Sequence, residues 1–258
     1  MSDKPRIAVV IPCFHVARQI PAVIAAIPAY VDDIVIVDDC CPENSGQIAL
    51  QETDDPRVTA IRLKENHGVG GAVLTGMQYA VSNGADILVK IDGDGQHDPQ
   101  YIPYMTAPII NGAADYTKGN RFFQLEFLKD MPRARIFGNA GLSFLTKISS
   151  GYWTLMDPTN GFVAIHARIF NQLPLGKLNQ RYFFESDMLF RLGTLRANVM
   201  QIPMSSIYRE ERSGIRPMRM LGPMLKWHTK CLIKRFAYCY FLRGFSLASV
   251  YLVLGLVL

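Results

Sequence analysis

Two carboxylates one residue apart dominate the chemistry available to this sequence. They lie in Lys90-Ile-Asp92-Gly-Asp94-Gly-Gln96-His97-Asp98, directly after an apolar run, Ile87–Ile91, that reads as a strand. Asp92 and Asp94 can face one hard cation together with the phosphates it neutralises, because Mg2+ and Mn2+ prefer oxygen ligands. Gly93 and Gly95 let backbone approach a ligand. An isolated Asp-Gly turn is equally a common surface turn, so the reading gains weight from the other strand ends. Val37-Asp38-Asp39 closes a second apolar run, where a carboxylate can accept hydrogen bonds from a nucleobase or ribose, or cap a turn. Asn66-His67-Gly68-Val69-Gly70-Gly71 opens a helix with N–H groups suited to a phosphate, or with glycines suited to close packing. The loop partly resembles a dinucleotide fingerprint, but its place after the third strand and its incomplete glycine spacing argue against a Rossmann dehydrogenase. Arg121, Lys129, Arg133 and Arg135 form a basic stretch able to clamp phosphate. In Phe183-Phe184-Glu185-Ser186-Asp187, two carboxylates start a helix and offer either a general base or favourable dipole placement.

The elements that must position these groups alternate along the first half of the chain. Ile7–Ile11, Ile34–Val37, Val58–Leu63 and Ile87–Ile91 read as strands. Val16–Ala29, Ser45–Thr53 and Gly70–Ser82 read as the helices between them. Continuous apolar strands separated by helices predict an α/β fold with a mostly parallel sheet covered on both faces. Ligands bind at the carboxyl ends of such strands, so Pro12, Asp38-Asp39 and Asp92-Asp94 should converge on one crevice. The second half is less regular, with helices expected over Ala134–Ser150 and Glu185–Leu195 and a strand over Phe162–Ile165.

Composition narrows the class. Apolar residues make up 49% of 258, enough for a sizeable core. The net charge of +5 is concentrated between Arg209 and Arg243, which hold nine basic and two acidic residues. The main domain therefore has no basic surplus for nucleic acid. Five cysteines without paired spacing argue against a disulfide framework or zinc site and fit a reducing compartment. Five scattered histidines (His15, His67, His97, His166 and His228) show no ligand spacing and are expected to be structural. Met1–Arg6 lacks the apolar stretch of a secretory leader.

Taken in order, Ile11-Pro12-Cys13-Phe14, Val37-Asp38-Asp39, Asn66-His67-Gly68, Asp92-Gly-Asp94-Gly-Gln96-His97-Asp98-Pro99, Gly119-Asn-Arg121 and Gly161-Phe162 resemble family 2 glycosyltransferases of the GT-A fold. The similarity is strongest to the branch of dolichol-phosphate mannosyltransferase and bacterial polyprenyl-phosphate glycosyltransferases, and covers roughly the first 215 residues and the basic segment beyond. The resemblance implies Mg2+ or Mn2+ held by Asp92, Asp94 and Gln96, with Asp39 at the nucleoside and Asp38, Pro12 and Gly68 nearby. It implies phosphate contacts from Arg121, Arg135 and Asn139, and a loop with Tyr208, Glu211 and Ser213 closing over the donor. The expected reaction is inverting transfer from a UDP- or GDP-sugar to polyprenyl phosphate. Asp94, Arg121, Arg135 and Asp187 are the catalytic candidates. The alternatives are a hydroxyl acceptor, with Asp187 as base, and a non-catalytic membrane adaptor of the same fold. Phe14-His15-Val16 stands where the family commonly has Tyr-Asn-Glu, and Asn139-Ala140 replaces a common serine and basic residue.

The expected organisation is a catalytic domain over 1–220, a basic amphipathic juxtamembrane helix over 221–243 and an apolar membrane segment over 244–258. Lys226, Lys230 and Lys234 form one stripe, with Leu225, Leu232, Phe236 and Cys239 roughly opposite. Arg235 and Arg243 add charge for anionic headgroups, and Trp227, Tyr238 and Tyr240 suit the interface. Phe245–Leu258 spans about 21 Å as a helix, short of about 30 Å of hydrocarbon. The run has no polar flank at its end, so continuation into a longer membrane region is expected. Positive charge on its near side places the catalytic domain on the cytoplasmic face. A homo-oligomer interface is the other use for such a tail.

Overall fold

Strands β1 (Ile7–Cys13) and β2 (Asp33–Asp38) are apolar at nearly every position because both of their faces are covered. Ile7, Val9, Ile11 and Cys13 point into one layer with Ile34 and Ile36. Ala8 and Val10 point into the other with Val35 and Val37. The computed structural model of the chain describes residues 4–124, 133–205 and 217–257, without the side chains of 133–135, 217–221 and 256–257.

The chain continues through α1 (Ile20–Ala25), α2 (Ser45–Gln51), β3 (Val58–Arg62), α3 (Val69–Ser82), β4 (Ile87–Lys90), α4 (Ile102–Ile110) and β5 (Tyr116–Asn120). It then forms α5 (Arg133–Ser150), β6 (Val163–His166), α6 (Ala167–Phe170), α7 (Phe184–Leu195), β7 (Val199–Pro203), α8 (Pro217–Phe236) and α9 (Leu247–Val257). The seven strands lie in the order β3-β2-β1-β4-β6-β5-β7. All neighbours are parallel except β6, which runs against β4 and β5. The order reverses at β1: the chain builds outward to β3, then crosses back to β4. That switch leaves a crevice at the carboxyl ends of β1 and β4.

The expected mostly parallel α/β sheet is present. The helix read over Val16–Ala29 shortens to Ile20–Ala25, bounded by Pro21 in its first turn and Pro28 beyond its end. Three further elements, α4, β5 and β7, carry no clear periodicity. α4 has prolines at 103 and 108, and β5 holds a buried lysine, Lys118.

The C-terminal helix differs from expectation in which face it buries. α8 packs on α5 and α7 through His228 and Cys231, while Leu225, Trp227 and Ile233 are exposed. Arg235 donates to the carbonyl of Ile148 at 2.8 Å, and Arg243 donates to that of Thr194. These two arginines thus tie the segment to the domain instead of facing headgroups. Among the described residues no helix is long and apolar enough to cross a membrane.

His228 makes this docking pH-dependent. Its ring is 2% exposed, with Nδ1 2.9 Å from Ser149 Oγ and no partner for Nε2 among the described residues. Burial pushes its pKa down from 6.5 to about 4. Between those values the unfolded chain binds a proton that the folded chain does not, so stability falls as pH falls from about 6.5 toward 4. At pH 5 the loss is about 2 kcal/mol. The urea midpoint should drop between pH 7 and 5, and less so in His228→Asn, which keeps a partner for Ser149. An equal drop in the variant would remove His228 as the cause.

Candidate active site

A cleft of ≈ 480 Å³ opens at the switch point. Pro12, Cys13, Phe14 and Val16 come from the end of β1, Asp39 from the end of β2, and Asn66, Gly68 and Val69 from the loop into α3. Asp92, Gly93 and Asp94 come from the end of β4, and Arg181 and Tyr182 from the loop before α7. The strand ends thus converge as their sequence positions require.

Asp92 is prepared for its place by a buried network. Lys90 Nζ lies 2.8 Å from Asp92 Oδ1 and 3.3 Å from Glu185 Oε1, with the lysine side chain 2% exposed and that of Asp92 32% exposed. Burial opposes the lysine's charge, but Asp92 and Glu185 outweigh it and hold the amine at about 12. Burial likewise opposes ionisation of Asp92, and Lys90 outweighs it, leaving the carboxyl at about 2. The backbone N–H of Asp92 donates to His97 Nδ1 at 3.1 Å, which fixes a neutral imidazole. Burial agrees, lowering His97 to about 4. Asp92 is therefore a fixed carboxylate facing the cleft. Asp94 accepts from the N–H of Gln96 at 2.9 Å through Oδ1. The two side chains offer hard oxygen donors on one wall, a donor set that fits a divalent cation of the Mg2+ or Mn2+ kind. Gln96 contributes its N–H to Asp94, and its side chain is not among the cleft lining.

Gly161 lies against this network. A Cβ there would sit 2.4 Å from both Asp92 Oδ2 and Lys90 Nζ. Gly161→Ala must push the carboxylate out of position, and a misplacement of this order costs about a hundredfold in turnover. Initial rates at saturating substrate check this, and near-wild-type turnover would show that Asp92 tolerates displacement.

Several expected contacts are redirected. Asp38 does not line the cleft: it is 2% exposed, and its oxygens accept from the N–H groups of Cys41 (2.7 Å) and Gly46 (2.9 Å), so it caps the turn into α2. Asp39 accepts from the N–H groups of His67 (2.7 Å) and Gly68 (2.8 Å). Gly70 and Gly71 donate to the carbonyl of Gln180. The Gly68 loop lines the cleft, but its N–H groups hold Asp39 and the 179–182 loop instead of forming a phosphate cradle. Gly68 adopts φ +82°, and a Cβ there would meet the Gln180 carbonyl at 2.8 Å.

Arg121 is 5% exposed, and its guanidinium makes two 2.6 Å bonds to Asp157, itself fully buried. It does not line the cleft, so the structure gives it a role in fixing the 157–161 loop that carries Gly161. Asp187 accepts from the N–H of Asn179 at 2.8 Å and from Arg191 at 3.2 Å. It holds the loop before α7 and does not face the cleft, which removes the geometric basis for a general base there. Asn139 is buried and accepts from Thr159, with Nδ2 unpartnered among the described residues. The side chain of Arg135 and all of Tyr208, Glu211 and Ser213 lie outside the described residues.

Sequence reasoning missed Lys90, Asp157 and Arg181 as parts of this site, and it named Glu185 as a helix-start carboxylate without its partner Lys90. Lys90 was readable as a charge inside an apolar strand, which demands a buried partner. Arg181 stands at the junction of two cavities. The second, ≈ 520 Å³, lies between residues 176–183 and α8, with Phe183, Pro223, Met224 and Trp227 in its wall. Arg181 and Tyr182 line both.

Comparison with known proteins agrees with this geometry. Residues 8–173 match the family model described as glycosyl transferase family 2. The chain is 33% identical over 225 residues to the UDP-N-acetylglucosamine–dolichyl-phosphate N-acetylglucosaminyltransferase of Methanococcus voltae, covering 81% of this chain and 88% of that protein. It is 27% identical over 211 residues to the undecaprenyl-phosphate mannosyltransferase of Micrococcus luteus, covering 80% and 85%. Among solved structures, glucosyl-3-phosphoglycerate synthase from Mycobacterium tuberculosis, in complex with Mn2+, UDP and glucosyl-3-phosphoglycerate, superposes with a TM-score of 0.65 at 19% identity, over 90% of this chain and 80% of that one. That similarity shows a shared fold, and the sequence matches show the lineage: the chain belongs to glycosyl transferase family 2.

Proposed function

We propose that this glycosyltransferase moves a sugar from a nucleoside-diphosphate donor to a polyprenyl phosphate, with inversion at the anomeric carbon. The observation that carries the reading is that Arg181 and Tyr182 line both the acidic cleft and an apolar cavity. A donor diphosphate belongs beside Asp92 and Asp94, and an isoprenoid chain suits a cavity walled by Phe183, Pro223, Met224 and Trp227. Arg181 then stands where an acceptor phosphate would sit. The named activities of the Methanococcus and Micrococcus relatives support the same acceptor class.

Asp92 and Asp94 would hold Mg2+ or Mn2+, which neutralises charge on the departing diphosphate. Asp39 positions the nucleoside, since each of its oxygens retains a lone pair beyond the bond it accepts from the loop. Arg181 orients the acceptor phosphate through charge-assisted hydrogen bonds. One phosphate oxygen forms the new bond to the anomeric carbon as the bond to the nucleoside diphosphate breaks. That oxygen is anionic near neutral pH, so positioning replaces a general base. The engagement of Asp187 with Asn179 and Arg191, and of Glu185 with Lys90, is consistent with a reaction needing no base, and disfavours the hydroxyl acceptor.

Release of nucleoside diphosphate from a panel of UDP- and GDP-sugars, with and without a short polyprenyl phosphate, tests the reading. Release should depend on that acceptor. Equal release on a soluble hydroxyl acceptor would favour the alternative.

The exposed Lys226, Lys230 and Trp227, with Lys234 and the apolar residues Phe245, Leu247, Tyr251 and Leu254, suit a bilayer surface with the catalytic domain on its cytoplasmic side. Replacing Lys226, Lys230 and Lys234 by Gln should weaken binding to anionic vesicles by about 3 kcal/mol, more than a hundredfold. Unchanged co-sedimentation would remove the stripe from membrane attachment.

A further inference from the structure

β1 and β2 are parallel neighbours, so the loops that leave them meet at one edge of the cleft. Phe14 and His15 follow β1; Cys40, Cys41, Pro42 and Glu43 follow β2. Left-handed residues at His15 (φ 57°), Cys40 (φ 56°) and Asn44 (φ 54°) fold the two loops toward each other. As a result His15 Nδ1 lies 3.0 Å from Glu43 Oε1, and the His15 N–H lies 3.2 Å from Cys41 Sγ. Ligand atoms of His15, Cys41 and Glu43 all lie within 4.8 Å of one another. The scattered spacing of these residues in the sequence hides this, since their convergence depends on two separate strand ends.

We propose that His15, Cys41 and Glu43 form a three-ligand site for a borderline-soft divalent cation of the zinc class, separate from the carboxylate pair Asp92–Asp94. Zinc bonds of about 2.0–2.3 Å in tetrahedral geometry place ligand atoms about 3.3–3.6 Å apart. The observed separations are close enough for rotation of the two exposed side chains, His15 and Glu43, to complete the set around a buried sulfur. The donor set decides the metal class. Thiolate and imidazole select zinc, cobalt or cadmium over magnesium, whereas Asp92 and Asp94 present oxygens only. Three protein ligands leave one position open to water or a bound ligand.

The site has a structural consequence. Cys13 at the end of β1, Phe14 on the loop that follows and Asp39 at the root of the other loop line the cleft. A cation joining His15 to Cys41 and Glu43 cross-links these loops where the nucleoside is expected. It forms with loss of the thiol proton to solvent, so affinity rises with pH.

Cobalt(II) titration of the full chain, in saturating Mg2+ so that oxygen sites are occupied, reads the site without reference to turnover. The expected result is a thiolate-to-cobalt charge-transfer band with intense visible bands of tetrahedral cobalt, saturating at one cobalt per chain and bleached by zinc. Cys41→Ser should abolish the thiolate band, while Cys40→Ser and Cys239→Ser keep it. His15→Asn, which tolerates the left-handed φ 57° at this exposed position, should weaken cobalt binding at least tenfold. No thiolate band in the wild type, its retention in Cys41→Ser, or unchanged affinity in His15→Asn would each overturn the proposal. None of these outcomes depends on which sugar or acceptor the enzyme uses.

Discussion

Asp94→Asn is expected to reduce glycosyl transfer by at least about a hundredfold while leaving the free energy of unfolding in urea within about 0.5 kcal/mol of wild type. Asp94 stands on the cleft wall at the end of β4, and the local bond it makes through Oδ1 is to the N–H of Gln96. An amide can still accept that hydrogen bond, so the turn should survive. What it loses is the negative charge and one hard oxygen donor, the two properties that a cation–diphosphate pair requires. Chelation of the wild type should produce the same loss, reversed by Mn2+ or Mg2+. Full activity after exhaustive chelation, or a wild-type rate in the variant, would show that the carboxylate pair does not serve a cation.

Asp157→Asn should have the largest effect on stability, about 3–5 kcal/mol. Asp157 is fully buried and receives three bonds from Arg121, two from the guanidinium at 2.6 Å and one from the backbone N–H at 3.2 Å. Neutralising it removes the charge that both guanidinium bonds at 2.6 Å are made to. Asn is the right probe because residue 157 sits at φ 54°, a conformation asparagine tolerates. The loss should be seen in denaturant unfolding. The Gly161 loop should loosen with it, so turnover falls by more than the folded fraction alone requires. A destabilisation under about 1 kcal/mol would show that the Asp157 charge is not what holds Arg121 in place.

The strand ends that line the cleft were legible because their chemistry is local. Asp92 and Asp94, with two glycines beside them, follow the short strand Ile87–Lys90, and Pro12 and Asp39 lie at the carboxyl ends of two apolar strands. The direction of a single side chain was not legible. Asp38 and Asp39 are adjacent in sequence, yet strand alternation turns Asp38 to the α2 turn and leaves Asp39 on the cleft. Partnerships across the fold were hidden as well. Lys90 meets Glu185, 95 positions away, and Arg121 meets Asp157, 36 away, so a basic stretch that reads as a phosphate clamp turns partly inward. α8 shows the same limit. Its lysine stripe is visible in the sequence, but the buried face carries His228 and Cys231, which a search for apolar periodicity passes over.

The most direct test of the central claim is the mass of the lipid product. The full chain, given the nucleotide-sugar that supports acceptor-dependent release, is incubated in the same vesicles with a polyprenyl phosphate or with the polyprenol of equal length. A polyprenyl phosphate heavier by one glycosyl residue, with no glycosylated polyprenol, is the expected result. Glycosylated polyprenol at a comparable rate, or transfer only to a soluble hydroxyl acceptor, would contradict a phosphate nucleophile positioned at Arg181.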